Sequence, residues 1–375
     1  MLLLFFSLLF RSPENIPPRM KNTVIFIGSY SEASKDGIHA MIMLDKEPFS
    51  KGLRGFSGIK NPSFLKLSVN HQLLYAVSEV EDGTVQAYAV ESADGPNPPG
   101  LSPAGSPQPA GNGPCHIAID KQNRHLIVSN YGGGSLAVFP LDNNGIPRPA
   151  IQRLMFSGNG PNPSRQEAPH AHSAIFSPDG KQVLAADLGT DRIYVYEYDP
   201  GHTNRPLSPA KQPFATTAPG GGPRHMAFSA DGKLLFVVLE MTGQIQTFRY
   251  QNGAITPLQI VSAAPPHYKG DNFSGADIHL SPDGKFLYSS LRGDVHHITI
   301  FRVSGNELKI AGYQDLGGRK EPRNFCLSPN GAFLYCGLQK SGVVAIYKRN
   351  AETGLLTDTN ISIEVPSPVC LEPMQ

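Results

Sequence analysis

Seven times along this chain a turn residue leads into a strand of alternating apolar and polar positions that closes on an aromatic or aliphatic residue. These segments begin at Gly37, Gly83, Gly134, Asp191, Gly243, Val295 and Gly342; Gly83-Thr-Val-Gln-Ala-Tyr and Gly134-Ser-Leu-Ala-Val-Phe show the pattern. Alternation with period two gives a strand two distinct faces. Most of these strands follow a second recurring block, Ser-Pro-Asp-Gly or a relative, which opens an apolar run. Its marker position falls at Asn70, Gln122, Asp179, Asp231, Asp283 and Asn330, so the repeat is roughly fifty residues long. No long stretch has helical periodicity. A repeat of this size built only from short strands and tight turns predicts a β-propeller.

Each unit reads as an inner strand, the Asp-Gly turn, a second strand, a turn, a third strand, and a polar loop to an outer strand. Asp-Gly and Asn-Gly supply the positive φ angles of tight hairpins. Four antiparallel strands make one blade. Thr23-Val-Ile-Phe-Ile-Gly28 resembles a second strand and Gly37 to Met41 a third, with no inner strand before them. Pro366-Ser-Pro-Val-Cys-Leu371 resembles an inner strand with no turn after it. Six complete units and one shared by the two termini predict an all-β, seven-bladed propeller forming a single domain over residues 22–375. The shared blade closes the ring by pairing strand edges that would otherwise stay open.

Composition narrows the partners. With 32 basic and 31 acidic residues there is no electrostatic case for a nucleic acid or an anionic membrane. The four cysteines lack metal-ligand spacing and read as small buried hydrophobes. No apolar run reaches the length of a bilayer. Residues 1–21 form a separate apolar extension. Met1 to Phe10 has the length of a secretory core, but no basic segment precedes it and no small-x-small site follows. Met20 makes a natural start, so the reading favours a misassigned start and a cytoplasmic protein over an exported one.

Aligning the units brings out two polar positions. Ser63, Cys115, His172, Arg224, Ala276 and Arg323 lie on the inner strands, followed by Phe64, His116, Ser173, His225, Asp277 and Asn324. Glu79, Asn130, Asp187, Glu240, Arg292 and Gln339 lie where the second strands end. Radial symmetry sends both sets to one mouth of the central channel, where convergent polar groups make a binding site. Polar strand ends also simply meet solvent, and Glu79, Asn130 and Gln339 fit a capping role equally well. An arginine near a core needs a partner or an anion, and Glu240 is the natural partner of Arg224. His170 and His172 could face the same way as a metal dyad, but no third ligand has fixed spacing, so no metal is expected. Tyr131-Gly-Gly-Gly134 joins two strands and lacks the following helix of a phosphate loop; it reads as a turn beside the mouth.

Gly113-Pro-Cys-His116, Val128 to Ser135, Pro169-His-Ala-His172 with Asp187 to Asp191, Gly222-Pro-Arg-His225 with Leu239-Glu240, Ser290 to Gly293 and Glu321-Pro-Arg-Asn324 together carry a resemblance. Over residues 22–372 the chain resembles the lactonase family of seven-bladed propellers, which includes bacterial 6-phosphogluconolactonases and fungal carboxymuconate lactonising enzymes. The resemblance implies catalytic roles for His172, Arg224, Glu240 and Arg292. Around them it suggests substrate contacts from His170, His225, Asn130, Asp187, His116 and Arg323. It implies hydrolysis of a sugar δ-lactone, 6-phosphogluconolactone to 6-phosphogluconate, in carbohydrate metabolism and without a cofactor. One departure is Leu239, where relatives often carry Asn before the Glu. Either Glu240 or His172 activates water in this reading, Arg224 faces the oxyanion, and Arg292 and Arg323 hold the phosphate. A muconate-type cycloisomerase and a non-catalytic binding module are the alternatives.

Overall fold

The structure is a computed structural model that describes residues 22–374 apart from 45–46, 48–49, 93–96, 252, 269 and 271. The expectations for residues 1–21 lie outside the described residues. Seven four-stranded antiparallel sheets are present. Six follow chain order, with inner strands Leu65–Leu67, Pro114–Ile119, Ala171–Phe176, Pro223–Phe228, Phe273–Leu280 and Pro322–Leu327. They are called blades one to six below. The seventh is composite: Pro368–Pro373 pairs with Asn22–Ser29, which pairs with Ile38–Leu44 and then Ser50–Phe56. The shared closing blade is as the sequence predicts.

The recurring block builds the inner hairpin by one repeated device. In blade three the Ser177 hydroxyl donates to Asp179 at 2.6 Å and accepts the Gln182 amide at 3.0 Å, while Gly180 takes φ +70°. Ser229, Ser281 and Ser328 repeat it with Asp231, Asp283 and Asn330. Blade two has Asp120 instead, and its carboxylate accepts the Arg124 and His125 amides directly. Each turn thus satisfies the backbone groups that a tight reversal strands, which is why Ser, Asp and Gly recur at this spacing.

The core lies between blades. Seven apolar clusters each join one blade to the next, and two of them seat the composite blade against blades six and one. Phe286 and Tyr288 of blade five pack on Phe325 and Leu334 of blade six. Fully burying each large side chain is worth about 1.5–3 kcal/mol, so the ring is held by its blade interfaces. All four cysteines are free and buried. Among the described residues no helix is long and apolar enough to cross a membrane.

Candidate active site

Every inner strand starts at the same mouth of the channel; those of blades one to six run to a turn, from which the second strand returns to that mouth. The inner strands of blades two to six do not pair regularly. Their registers shift between Pro114 and His116, Ala171 and Ser173, Pro223 and Met226, Gly275 and Ile278, and Pro322 and Asn324. An extra residue in a strand breaks the alternation and re-aims its side chain. Arg224 and His225 therefore both face the channel although they are adjacent in sequence.

Glu240 is the hub. It follows Leu234–Leu239 of blade four and is nearly buried. One carboxylate oxygen accepts Arg165 Nη2 at 2.6 Å; the other accepts Arg224 Nε at 2.9 Å and lies 3.4 Å from Arg292 Nη2. Burial alone would raise its pKa, but the guanidiniums of Arg292, Arg224 and Arg165 overcome burial and hold it at about 2. Arg224 is fixed further by a bond from Nη1 to the Ala276 carbonyl. Its Nη2 takes part in none of these bonds. Arg292 also sits 3.6 Å from Glu321.

His172 lies 3.9 Å from Glu240 and is buried. Burial first, then the charges of Arg224 and its neighbours, push its pKa well below the usual histidine range, so the ring is neutral. Its Nδ1 and the Nε of Arg292 are buried polar atoms with no protein partner. Beneath Arg224, His225 Nδ1 donates to Asp277 at 2.7 Å. Asp277 also binds His279, Asn324 and the Phe325 amide, so it knits blades four, five and six together.

Arg323 forms the opposite wall. Its Nη2 donates to the Tyr30 hydroxyl at 2.9 Å, and that hydroxyl donates to Glu79 at 2.9 Å. Among the described residues no carboxylate lies within the 4.0 Å ion-pair distance of Arg323. His170 stands at the rim, stacked on Tyr131 at 4.5 Å and 3.2 Å from Glu167. It precedes the strand that carries His172, and both rings lie against Tyr131, His170 stacked on it and His172 edge-on at 5.6 Å. The Tyr131–Gly134 turn does lie beside the mouth, with the Tyr131 hydroxyl accepting from Arg165.

With the bulged inner strands, the seven blades and the arginine–glutamate mouth described, comparison with known proteins is decisive. Residues 24–373 match the family described as Lactonase, 7-bladed beta-propeller. The chain belongs to the lactonase family. It is 34% identical over 339 residues to the 6-phosphogluconolactonase of Formosa agariphila, covering 88% of this chain and 94% of that one. It is 29% identical over 357 residues to the 6-phosphogluconolactonase of Bacillus subtilis, covering 94% and 99%. Among solved structures, the periplasmic gluconolactonase of Pseudomonas aeruginosa superposes with a TM-score of 0.88 at 31% identity, covering 95% of this chain and 99% of that one. Lactonase relatives imply a small-molecule lactone as substrate.

In this member of the lactonase family the mouth gathers His170, His172, Arg224, Glu240, Arg292 and Arg323, with His225 directly below. Three other expected contacts go elsewhere. Asn130 donates to the Ala110 carbonyl of blade one and to Ser135 of its own blade. Asp187 is consumed by the His170 amide, the Gly189 amide and the Thr190 hydroxyl, a turn cap whose tightness depends on Gly189, since a Cβ there would meet the Ala168 carbonyl at 1.9 Å. His116 lies deeper, packed on Phe64 at 4.2 Å, and lines a cavity of about 260 Å³ at the other end of the inner strands. Arg165, Tyr131 and Tyr30 are partners that alignment on the repeat does not single out. Arg165 occupies a loop outside the repeating frame; Tyr30 directly follows the second strand of the composite blade, as Glu79 and Glu240 follow theirs, and Tyr131 directly follows the aligned Asn130, so both carried a usable signal.

Proposed function

We propose that this chain opens sugar δ-lactones by water attack at the arginine-lined mouth, with 6-phosphogluconolactone as the substrate and 6-phosphogluconate as the product. The observation that carries the reading is a neutral His172 whose Nε2 lies 3.9 Å from Glu240, which is already ionised and locked by arginines. Both carboxylate oxygens of Glu240 are engaged by arginines, so it serves chiefly to fix the guanidiniums. His172 takes the proton of the attacking water. The water oxygen bonds to the lactone carbonyl carbon, and the carbonyl oxygen becomes an oxyanion facing Arg224 Nη2. Collapse of the tetrahedral intermediate breaks the bond to the ring oxygen, which receives the proton from His172 as it leaves. Arginine keeps its proton throughout.

Arg224, Arg292, Arg323 and Arg165 outnumber the carboxylates Glu240, Glu321 and Glu79 around them, which suits an anionic substrate. Arg292 already lies between two carboxylates, whereas Arg323 meets only a phenol. The phosphate-holding role therefore sits better with Arg323 than with Arg292. The test is hydrolysis by purified protein of 6-phosphogluconolactone and gluconolactone, each measured above its spontaneous background. Arg224→Ala is expected to lower kcat/KM by about tenfold or more with the fold retained. A folded variant with full activity would remove Arg224 from the mechanism.

A further inference from the structure

Three arginines hold Glu240, and they are not equivalent. The side chains of Arg224 and Arg292 are 3% and 8% exposed, whereas that of Arg165 is 42% exposed. Withdrawing either buried guanidinium strands charges with no solvent to take over. Arg165 is wetted on one side, so of the three guanidiniums it is the one water can take up when it leaves Glu240. Its backbone, in contrast, is firmly seated. Neighbouring Gln166 is fully buried, donating to the Leu188 carbonyl at 2.8 Å and accepting the Asn162 amide at 3.1 Å. The Arg165 and Gln166 amides close a turn on the Asn162 carbonyl. A fixed base with a movable, water-facing guanidinium over a closed site is the arrangement of a gate that reads charge.

We propose that Arg165 joins Arg323 in recognising the anionic group of the substrate, leaving Glu240 to form a forked pair with a phosphate as the lactone enters. The proposal rests on the lactonase reading and adds a specificity determinant to it. Only one partner changes: Glu240 keeps Arg224 and Arg292, so it stays ionised and the catalytic arginines stay in place. Arrival of a phosphate also adds negative charge close to His172, whose proton affinity is suppressed by burial and surrounding cations, and so strengthens the base when substrate is present. Phosphorylation of the substrate should then raise kcat as well as lower KM. An uncharged lactone leaves Arg165 on Glu240 and gains neither effect.

The experiment compares wild type, Arg165→Ala and Arg165→Lys on 6-phosphogluconolactone and gluconolactone. Charge-assisted forked bonds of this kind are worth roughly ten- to a hundredfold in kcat/KM. That loss is expected for Arg165→Ala on the phosphorylated lactone, with a smaller loss on gluconolactone, for which Arg165 only steadies Glu240. Arg165→Lys keeps a charge but not the fork and should fall between. Equal losses on both lactones would overturn the proposal, because they would mean that Arg165 only steadies Glu240. No loss on either would overturn it too. If the wild type hydrolyses neither lactone, the lactonase reading fails by itself. The gate is then judged by calorimetric titration with 6-phosphogluconate against gluconate: tighter phosphogluconate binding in wild type than in Arg165→Ala upholds it, and equal binding ends it.

Discussion

Glu240 combines deep burial with three cationic partners, and this makes it the most consequential single side chain of the site. Replacing it by Gln leaves Arg224 and Arg292 buried without their shared carboxylate, which should cost about 3–5 kcal/mol and lower the melting temperature. Its folded pKa lies below the ordinary carboxylate value of 4.5, at about 2. A depressed acid contributes stability that is fully present above the unfolded value and is lost as pH falls through the folded one. Acid unfolding between those two values should therefore be less steep in Glu240→Gln than in wild type; identical pH profiles would contradict the ionised state. His172 gives the complementary test. Arg323 is one of the cations that suppress its protonation. Arg323→Gln should move the acidic limb of the kcat/KM profile to higher pH, and a limb that stays put would show that another group titrates.

Two kinds of local structure organise these residues. The Ser-x-Asp-Gly turn can be read directly from the chain, because its bonds join residues no more than five apart. The bulge on the inner strands is visible only as a symptom: Arg224-His225 and the equivalent pairs put two polar residues where strict alternation allows one. What the symptom does not reveal is which of the pair faces the mouth and which goes deeper, since that depends on the register with the neighbouring strand. Asp187 shows the same limit from another direction. Its position at the end of a strand is the one Glu240 occupies in the next blade, yet its carboxylate turns back on its own loop. Asp187→Ala should cost about 1–3 kcal/mol by leaving the His170 and Gly189 amides unsatisfied. Differential scanning calorimetry would register the loss, and an unchanged transition would show that water replaces the carboxylate.

Closure decides whether the ring exists as a unit. The terminal strand contributes more than its pairing with Asn22–Ser29: its Leu371 amide donates to Asn324 of blade six at 2.6 Å, and Glu372 takes Lys66 of blade one at 2.8 Å. Two of the seven apolar clusters also depend on it through Leu371 and Cys370. Deleting residues 364–375 should therefore open both neighbouring interfaces together and lower the stability of the whole ring. Thermal unfolding indistinguishable from the full chain would refute closure by the shared blade. The same closure fixes the radius at which blades three to six present their side chains, and hence the distances from Glu240 to the arginines.

By itself the sequence determined the repeat, the number of blades, the composite seventh blade and the pairing of Arg224 with Glu240. All of these follow from local alternation, from turn chemistry and from a symmetry that maps equal positions onto equal radii. Tertiary structure alone decided that Arg165 joins the mouth, that Asn130 bonds back to blade one and Asp187 to its own loop, and that His116 lies toward the other end. The reason is physical: loops outside the repeating frame obey no symmetry, and a side chain in a crowded channel goes to whichever partner packing leaves within reach.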